Sequence, residues 1–300
     1  QAEDGIRDVE RSRGLGDVYK RQVYNREGLV KRAIESAINQ TYKNIEIIIV
    51  DNKSTDRTYE VLKDYAEKNA KVKVYQNEEN LGPVRNWKKC LEYSSGEFIK
   101  ILFSDDWIEE TFVEKCMEIL LAHDEVGFVF SGTEIFYEGT GQKVEAYVNG
   151  NTGVYNTKRF IERSLLGGPF PVSPGCALFR RLDVESNLVL EISNDLGLDF
   201  KKLGAGNDLL LFLLTASKYQ YFGYISELLS HFGAYNDSIT ISNDLSLYYW
   251  TAKKYFVDNF IEEDNNLKRS FYSKLWLVDI KNKGKFRELL IANEIDIFQV

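Results

Sequence analysis

Two clusters of carboxylates and amides stand at the ends of apolar runs, and these residues are the ones best placed to do chemistry. Ile45 to Val50 stops at Asp51-Asn52-Lys53-Ser54-Thr55-Asp56. Phe98 to Phe103 stops at Ser104-Asp105-Asp106-Trp107. Short apolar runs broken by helical patterns predict buried parallel strands. Ligands of such sheets sit beyond the carboxyl ends of the strands. Two acidic clusters on that one edge could hold a divalent cation and a polar nucleotide together. A further acid, Asp208, follows Asn207 at the start of an apolar helix, after Gly204-Ala205-Gly206. Arg85 lies on the first turn of a helix beginning at Pro83, beside Asn80-Leu81-Gly82. An arginine next to helix N-terminal amides favours a diphosphate.

The elements that must position these groups follow from the hydrophobic pattern. Gly28 to Gln40 predicts an amphipathic helix, with Leu29, Ala33, Ile34, Ala37 and Ile38 on one face. Strands are expected at Ile45–Val50, Lys71–Gln76, Phe98–Phe103 and Val126–Ser131. Helices are expected at Asp56–Asn69, Pro83–Ser94 and Glu109–Leu121. Ser54 and Asp56 are candidate caps for the second helix, Asp56 the better one. This alternation predicts a doubly wound α/β layer through about Ser131. Beyond it, Glu134–Val148 reads as a surface hairpin. Gly167 to Gly175 reads as a turn-rich loop at a binding edge, before a strand at Cys176–Arg180. Asp208–Ser217 predicts a helix, Tyr219–Ile225 and Leu228–Phe232 two strands, and the chain from Leu245 onward more helix.

Composition narrows the class. The length allows one large domain or two small ones. A net charge of −8 argues against a dedicated nucleic-acid binder. Cys90, Cys116 and Cys176 lack metal-ligand spacing and read as reduced thiols, which points to the cytoplasm. No apolar stretch approaches the ~20 residues of a membrane span. Peripheral contact at the inner face of a membrane stays open, and no feature fixes an oligomeric state.

Residues 1–22 read differently from the rest. They lack useful periodicity, and AEDGIRD and SRGLGDVYKRQ resemble translated sequencing-adapter sequence. The segment is therefore expected to be non-native. A first buried strand before Tyr24-Asn25 would then be missing, unless Val18–Val23 substitutes. Lys20 and Arg21 are poor residues for that place.

Tyr24-Asn25, IIIVDNKSTD (Ile47–Asp56), NLGPVRNW (Asn80–Trp87) and GEFIKILFSDDW (Gly96–Trp107) resemble, in order and spacing, the family-2 glycosyltransferases. The resemblance covers roughly residues 23–240. It implies a GT-A (Rossmann-like) fold: a mostly parallel sheet flanked by helices, with a helical C-terminal extension. Its parts would be a nucleotide-sugar-binding half (23–131), an acceptor-binding half of the same domain (132–240) and the extension (241–300). It further implies an inverting enzyme with Mn²⁺ or Mg²⁺, taking a nucleotide-sugar donor, UDP-linked by preference, and a saccharide or lipid-linked acceptor. Asp51 would meet the base or ribose, with Asn52 of less weight in place of a more usual aspartate. Tyr24 and Asn25 would flank the nucleoside, and Arg85 would meet the diphosphate. Asp105 would be the main metal ligand and Asp106 the second, although Phe103 replaces the first acid of the usual D-x-D-D. Asp208 would be the general base.

Two departures stand out: Asn207 where the family shows Glu, and Gly233 and Tyr235 where it often carries Arg and His. Gly233 and Tyr235 put a third metal or phosphate contact in doubt, and His231 reads as a core or surface residue. These departures also keep alive a catalytically degenerate nucleotide-sugar-binding protein. A nucleotidyltransferase would share the strand-end acids, but it would need a Gly-rich basic loop that is not visible.

Overall fold

Ile47, Ile48, Ile49 and Val50 are all fully buried, because the strand that carries them is covered on both faces. Ile47 and Ile49 join one core cluster and Ile48 and Val50 another, as the two-residue period of a strand requires. The structure, a computed structural model, describes residues 17–236, 238–262 and 266–291, with backbone alone for 17–23, 240 and 291.

In chain order these residues form β1 (Asp17–Val23), α1 (Val30–Ile38), β2 (Ile45–Asp51), α2 (Thr58–Lys68), β3 (Val72–Gln76), α3 (Pro83–Glu92), β4 (Phe98–Ile101), β5 (Trp107–Ile108), α4 (Phe112–Ala122), β6 (Val126–Tyr137), β7 (Gln142–Ala146), β8 (Gly153–Asn156), α5 (Thr157–Leu166), β9 (Ala177–Arg180), α6 (Arg181–Asn187), α7 (Phe200–Leu203), α8 (Asn207–Lys218), β10 (Tyr221–Ala234), α9 (Ile239–Ser242), α10 (Ser246–Phe260), α11 (Asn266–Lys281) and α12 (Arg287–Ile291). The strands order β3-β2-β1-β4-β9-β6-β10-β5, with β7 beside β6 and β8 beside β10.

The first half of the sheet is parallel, as expected. In the second half β6 and β10 are parallel, but β9 runs antiparallel to both β4 and β6, β7 to β6, and β5 and β8 to β10. The parallel ladders carry most of the pairing, as expected, and short antiparallel strands are added among them and at their edges. Parallel neighbours need a crossover helix, whereas β7 returns from β6 by a short turn, which gives the expected hairpin.

The two strands expected at Tyr219–Ile225 and Leu228–Phe232 are one strand, β10, with register shifts between Ile225 and Leu228 and between Leu228 and Ser230. Ser226 and Glu227 are exposed there; the Ser226 amide donates to Thr152 Oγ1 at 3.0 Å and Glu227 pairs with Lys115 at 2.5 Å. Such a bulge lets one strand serve both ends of the sheet.

Asp17–Val23 takes the centre of the sheet, paired with β2 from Asp17↔Ile45 to Val23↔Asp51 and with β4 from Asp17↔Phe98 to Lys20↔Ile101. Residues 1–16 lie outside the described residues. The strand backbone satisfies the facing N–H and C=O groups of β2 and β4 whatever its side chains are. The residues themselves, DVYKRQV, are a poor match for a strand flanked on both sides. Replacing Lys20 and Arg21 by Val is expected to raise the melting temperature, by about 2–4 °C for each kcal/mol gained. An unchanged or lower melting temperature would show that these charges cost nothing there.

Candidate active site

The turn after β2 is built from its own polar residues. Asp51 is fully buried; one carboxylate oxygen accepts from the Ser54 amide at 3.0 Å and from Gln76 Nε2 at 2.8 Å, and the other from Ser54 Oγ. Asn25 closes the turn from outside. Its amide donates to Ser54 Oγ at 3.0 Å, and its Oδ1 accepts from the Thr55 amide at 2.8 Å. Asn25 sits at φ 51°, a left-handed conformation that Asn tolerates well. Asp56 accepts from the Thr58 amide at 3.0 Å just before α2, one residue ahead of the N-cap position, which Arg57 holds.

Asn52 belongs to a chain of amides. Asn86 Nδ2 donates to the Val50 carbonyl at 2.9 Å, and Asn77 Nδ2 donates to Asn86 Oδ1 at 2.7 Å and to Asn52 Oδ1 at 3.0 Å. Asn52 Nδ2 donates in turn to Asn80 Oδ1 at 2.7 Å, and its Oδ1 also accepts the Leu81 amide at 2.9 Å. Asn80 Oδ1 accepts the Gly82 amide at 3.0 Å. This network ties the end of β2 to the loop that starts α3. Asn52→Asp would set a carboxylate oxygen against Asn80 Oδ1, and Asn80 cannot turn its amide without losing Gly82. We expect it to cost about 1–3 kcal/mol, read as a lower denaturation midpoint with an unchanged slope. An unshifted midpoint would contradict the network.

A cavity of about 420 Å³ opens over that loop, lined by Tyr24, Asn52, Asn80 to Pro83, Arg85, Asp199, Lys201 and Lys202. Its rim combines the first turn of α3 with the basic helix α7. Arg85 and Lys202 are exposed, and Lys201 pairs with Glu191. Of the residues singled out from sequence, Tyr24, Asn52 and Arg85 line this cavity. Asn25, Asp51, Asp105, Asp106 and Asp208 do not. Asp51 braces the turn from beneath and Asn52 faces the opening.

Asp105 and Asp106 form the turn between β4 and β5. Asp106 is the more buried of the two; its Oδ1 accepts the Gly233 amide of β10 at 3.1 Å. Burial, and then the neighbouring Asp105, push its carboxyl well above the ordinary range. A Cβ on Gly233 would lie 2.6 Å from the Asp105 carbonyl, so the strand needs glycine to come this close. Lys100, fully buried on β4, donates to the Gly175 carbonyl, and burial lowers its ammonium to about 8. That bond ties the loop before β9 to the strand carrying the acids. No group of three or more His, Cys, Asp or Glu residues among those described could hold a metal alone.

Arg32, a residue that sequence reasoning passed over, braces the same turn. Its Nη2 donates to the Asp105 carbonyl at 3.2 Å and to the Tyr235 hydroxyl at 2.8 Å. Its guanidinium lies 3.5 Å from the centre of the Trp107 ring. Trp107 stacks on His231, centroids 4.9 Å apart, and His231 Nε2 meets Glu109 at 2.7 Å. His231 is thus a packed, paired residue, as expected. On α1, Arg32 is indistinguishable by pattern from a solvated surface residue, so no local signal could have found it.

Asp208 starts α8 and is 8% exposed. Its Oδ1 accepts the Gly206 amide at 2.8 Å and the Leu209 amide at 2.7 Å, and its Oδ2 accepts the Tyr249 hydroxyl at 2.9 Å. Burial pushes its carboxyl up to about 7 against these donors. Tyr249, on α10, was also missed from sequence. Trp87 on α3 joins the two acidic regions: its ring is 5.6 Å from Phe103, and a Cβ on Gly204 would lie 3.0 Å from it. Trp87 Nε1 and Asn207 Oδ1 are buried without a partner among the described residues.

Acids at strand ends, beside a cavity with basic walls, are what the glycosyltransferase class of α/β folds offers a nucleotide-linked sugar. Residues 22–187 match the family model described as glycosyl transferase family 2, and the chain belongs to that family. It is 34% identical over 166 residues to EpsH of Bacillus subtilis (strain 168), covering 55% of this chain and 47% of EpsH. It is 27% identical over 223 residues to the minor teichoic acid biosynthesis protein GgaB of the same organism, covering 72% of this chain and 22% of GgaB. The chain thus spans about half of one relative and less of the other. The fold resembles the crystal structure of Staphylococcus aureus TarS 1–349 in complex with UDP-GlcNAc, with a TM-score of 0.70 at 16% identity, over 95% of this chain and 77% of that one. At that identity the likeness speaks to the fold.

Proposed function

We propose that this chain is an inverting glycosyltransferase that moves a sugar from a nucleoside diphosphate, UDP by preference, to a saccharide or lipid-linked acceptor of a cell-surface polysaccharide or glycolipid. The observation that carries the reading is the cavity on the first turn of α3, with Arg85 and Lys202 on its rim. Cationic side chains and helix N-terminal amides suit a diphosphate. Tyr24 flanks the nucleoside, and Asp51 and Asn25 hold the turn on which it rests.

Asp105 and Asp106 fit a hard divalent cation, Mn²⁺ or Mg²⁺. Such ions take one or two carboxylates and complete their shell with water and substrate phosphates, so a full protein cage is not required. When bound, the ion neutralises charge on the departing diphosphate. Arg32, Gly233 and Lys100 fix the turn that would hold it.

Asp208 accepts the proton of the acceptor hydroxyl. The acceptor oxygen forms its bond to the anomeric carbon as the bond to the diphosphate breaks. The electron pair leaves with the nucleoside diphosphate, and the anomeric configuration inverts. A base poised near neutrality suits this step. Incubation with UDP-, GDP-, CDP- and dTDP-sugars, Mn²⁺ and an oligosaccharide acceptor should yield one product whose anomeric configuration by NMR is opposite to the donor's (β from an α-linked donor), with equimolar release of one nucleoside diphosphate. A product that retains the donor's anomeric configuration would refute inversion, and the absence of any product across the donors and a broad acceptor panel would refute the transferase reading.

A further inference from the structure

The outward face of α11 is apolar and basic at once. Its inward face is anchored: Phe271, Tyr272 and Leu275 are buried in the C-terminal core, and Asp279 accepts from the Phe286 amide and from Arg287. On the other side, Trp276, Leu277 and Ile280 are 44%, 51% and 52% exposed. At 100° per residue they form one stripe, and Lys274 and Lys281 lie together along its edge, both exposed. Lys283 continues the basic edge in the turn that follows. From Asn266 to Lys285 the sequence holds six basic residues (Lys268, Arg269, Lys274, Lys281, Lys283 and Lys285) and one acid, the buried Asp279, in a chain whose net charge is −8. Lys268 is buried and Lys285 pairs with Asp244, so the positive charge beside the exposed apolar residues is that of Lys274, Lys281 and Lys283, against the sign of the whole molecule.

We propose that this face of α11 docks the protein on an anionic lipid surface, with Trp276, Leu277 and Ile280 entering the headgroup boundary and Lys274, Lys281 and Lys283 meeting lipid phosphates. An apolar stripe with an indole, edged by lysines, is the arrangement that lies in such an interface. The lysine stems cover apolar surface while their ammonium groups reach the phosphates. A second copy of the same face would bring like charges together, which disfavours self-association there. The helix does not cross the bilayer: no helix among the described residues is long and apolar enough for that. The inference stands independently of the transferase reading.

Sedimentation of the full chain with vesicles tests it. Vesicles containing phosphatidylglycerol should carry the protein down, and phosphatidylcholine vesicles should not. Raising the salt should release it. Lys274→Gln and Lys281→Gln should each weaken binding roughly fivefold, and Trp276→Ser should abolish it, with melting temperature and turnover on a soluble acceptor unchanged. Equal binding to both vesicle types, or none, would overturn the proposal. Concentration-dependent self-association lost in Leu277→Ser, without vesicle binding, would overturn it in favour of a second copy of the chain.

Discussion

Asp208→Asn lowers kcat by about 10²–10⁴ and leaves donor binding close to the parent value. The amide is nearly isosteric with the carboxylate. Its oxygen can keep the Gly206 and Leu209 amides, and its nitrogen can donate to the Tyr249 hydroxyl once that group turns. What is lost is the proton acceptor. The parent's pH profile carries a second signature. The carboxylate works only when ionised, so kcat/KM rises tenfold per pH unit below about 7 and levels above it. Stability runs the other way. A carboxyl raised above its unfolded value adds stability that is fully present below about 4 and is lost as pH rises through about 7. Asp208→Asn should lack that loss. A variant with near-parental kcat would remove Asp208 as the base.

Gly233→Ala is the second change with a large expected effect, and it acts at a distance in sequence from the acids. The added methyl would lie 2.3 Å from the Tyr235 ring and 2.6 Å from the Asp105 carbonyl. The ring can swing aside, but the carbonyl is backbone, so the turn itself must move. The Gly233 amide would leave Asp106, and the Arg32 bonds to Asp105 and Tyr235 would be strained apart. Overpacking of this kind costs about 1–3 kcal/mol, and a buried carboxylate left short of a donor costs about as much again. The melting temperature should fall by several degrees, and the Mn²⁺ concentration needed for half-maximal turnover should rise. A variant that melts and titrates like the parent would show that β10 does not constrain the acidic turn.

Much of the donor side was legible because its signals are local. Apolar runs ending in Asp51-Asn52 and in Asp105-Asp106 give strands whose carboxyl ends lie on one edge. Pro83 stands at the first position of α3 and Asp56 at the entry to α2, where backbone chemistry favours them. The hairpin of β6 and β7 followed from weak alternation between turn residues.

What was not legible depends on long-range pairing. β1 has no apolar pattern and is held by its neighbours' hydrogen bonds. The bulge in β10 hides one strand as two. Short β9 runs against both of its neighbours, β4 and β6, which themselves point the same way. At the site, Arg32, Trp107 and His231 come from three separate elements, and the amide chain through Asn52, Asn77, Asn80 and Asn86 joins two strand ends to a helix start. Lys201 and Lys202 reach the cavity through α7, a helix of four residues that no periodicity announces. The placement of Asp51 beneath its turn and Asn52 on the cavity follows from the two-residue period of β2, but which of the two faces the opening depends on where α3 packs.

The central claim is that the cavity by α3 and the Asp105-Asp106 turn bind one ligand together, a nucleoside diphosphate bridged by a divalent ion. Calorimetric titration of UDP into the protein tests it directly, with and without Mn²⁺, for the parent and for Asp105→Asn. The account predicts heat of binding that requires Mn²⁺ and is lost in Asp105→Asn, while its melting temperature in the absence of ligand holds. Equal affinity with and without Mn²⁺, or UDP binding that Asp105→Asn leaves intact, would contradict it.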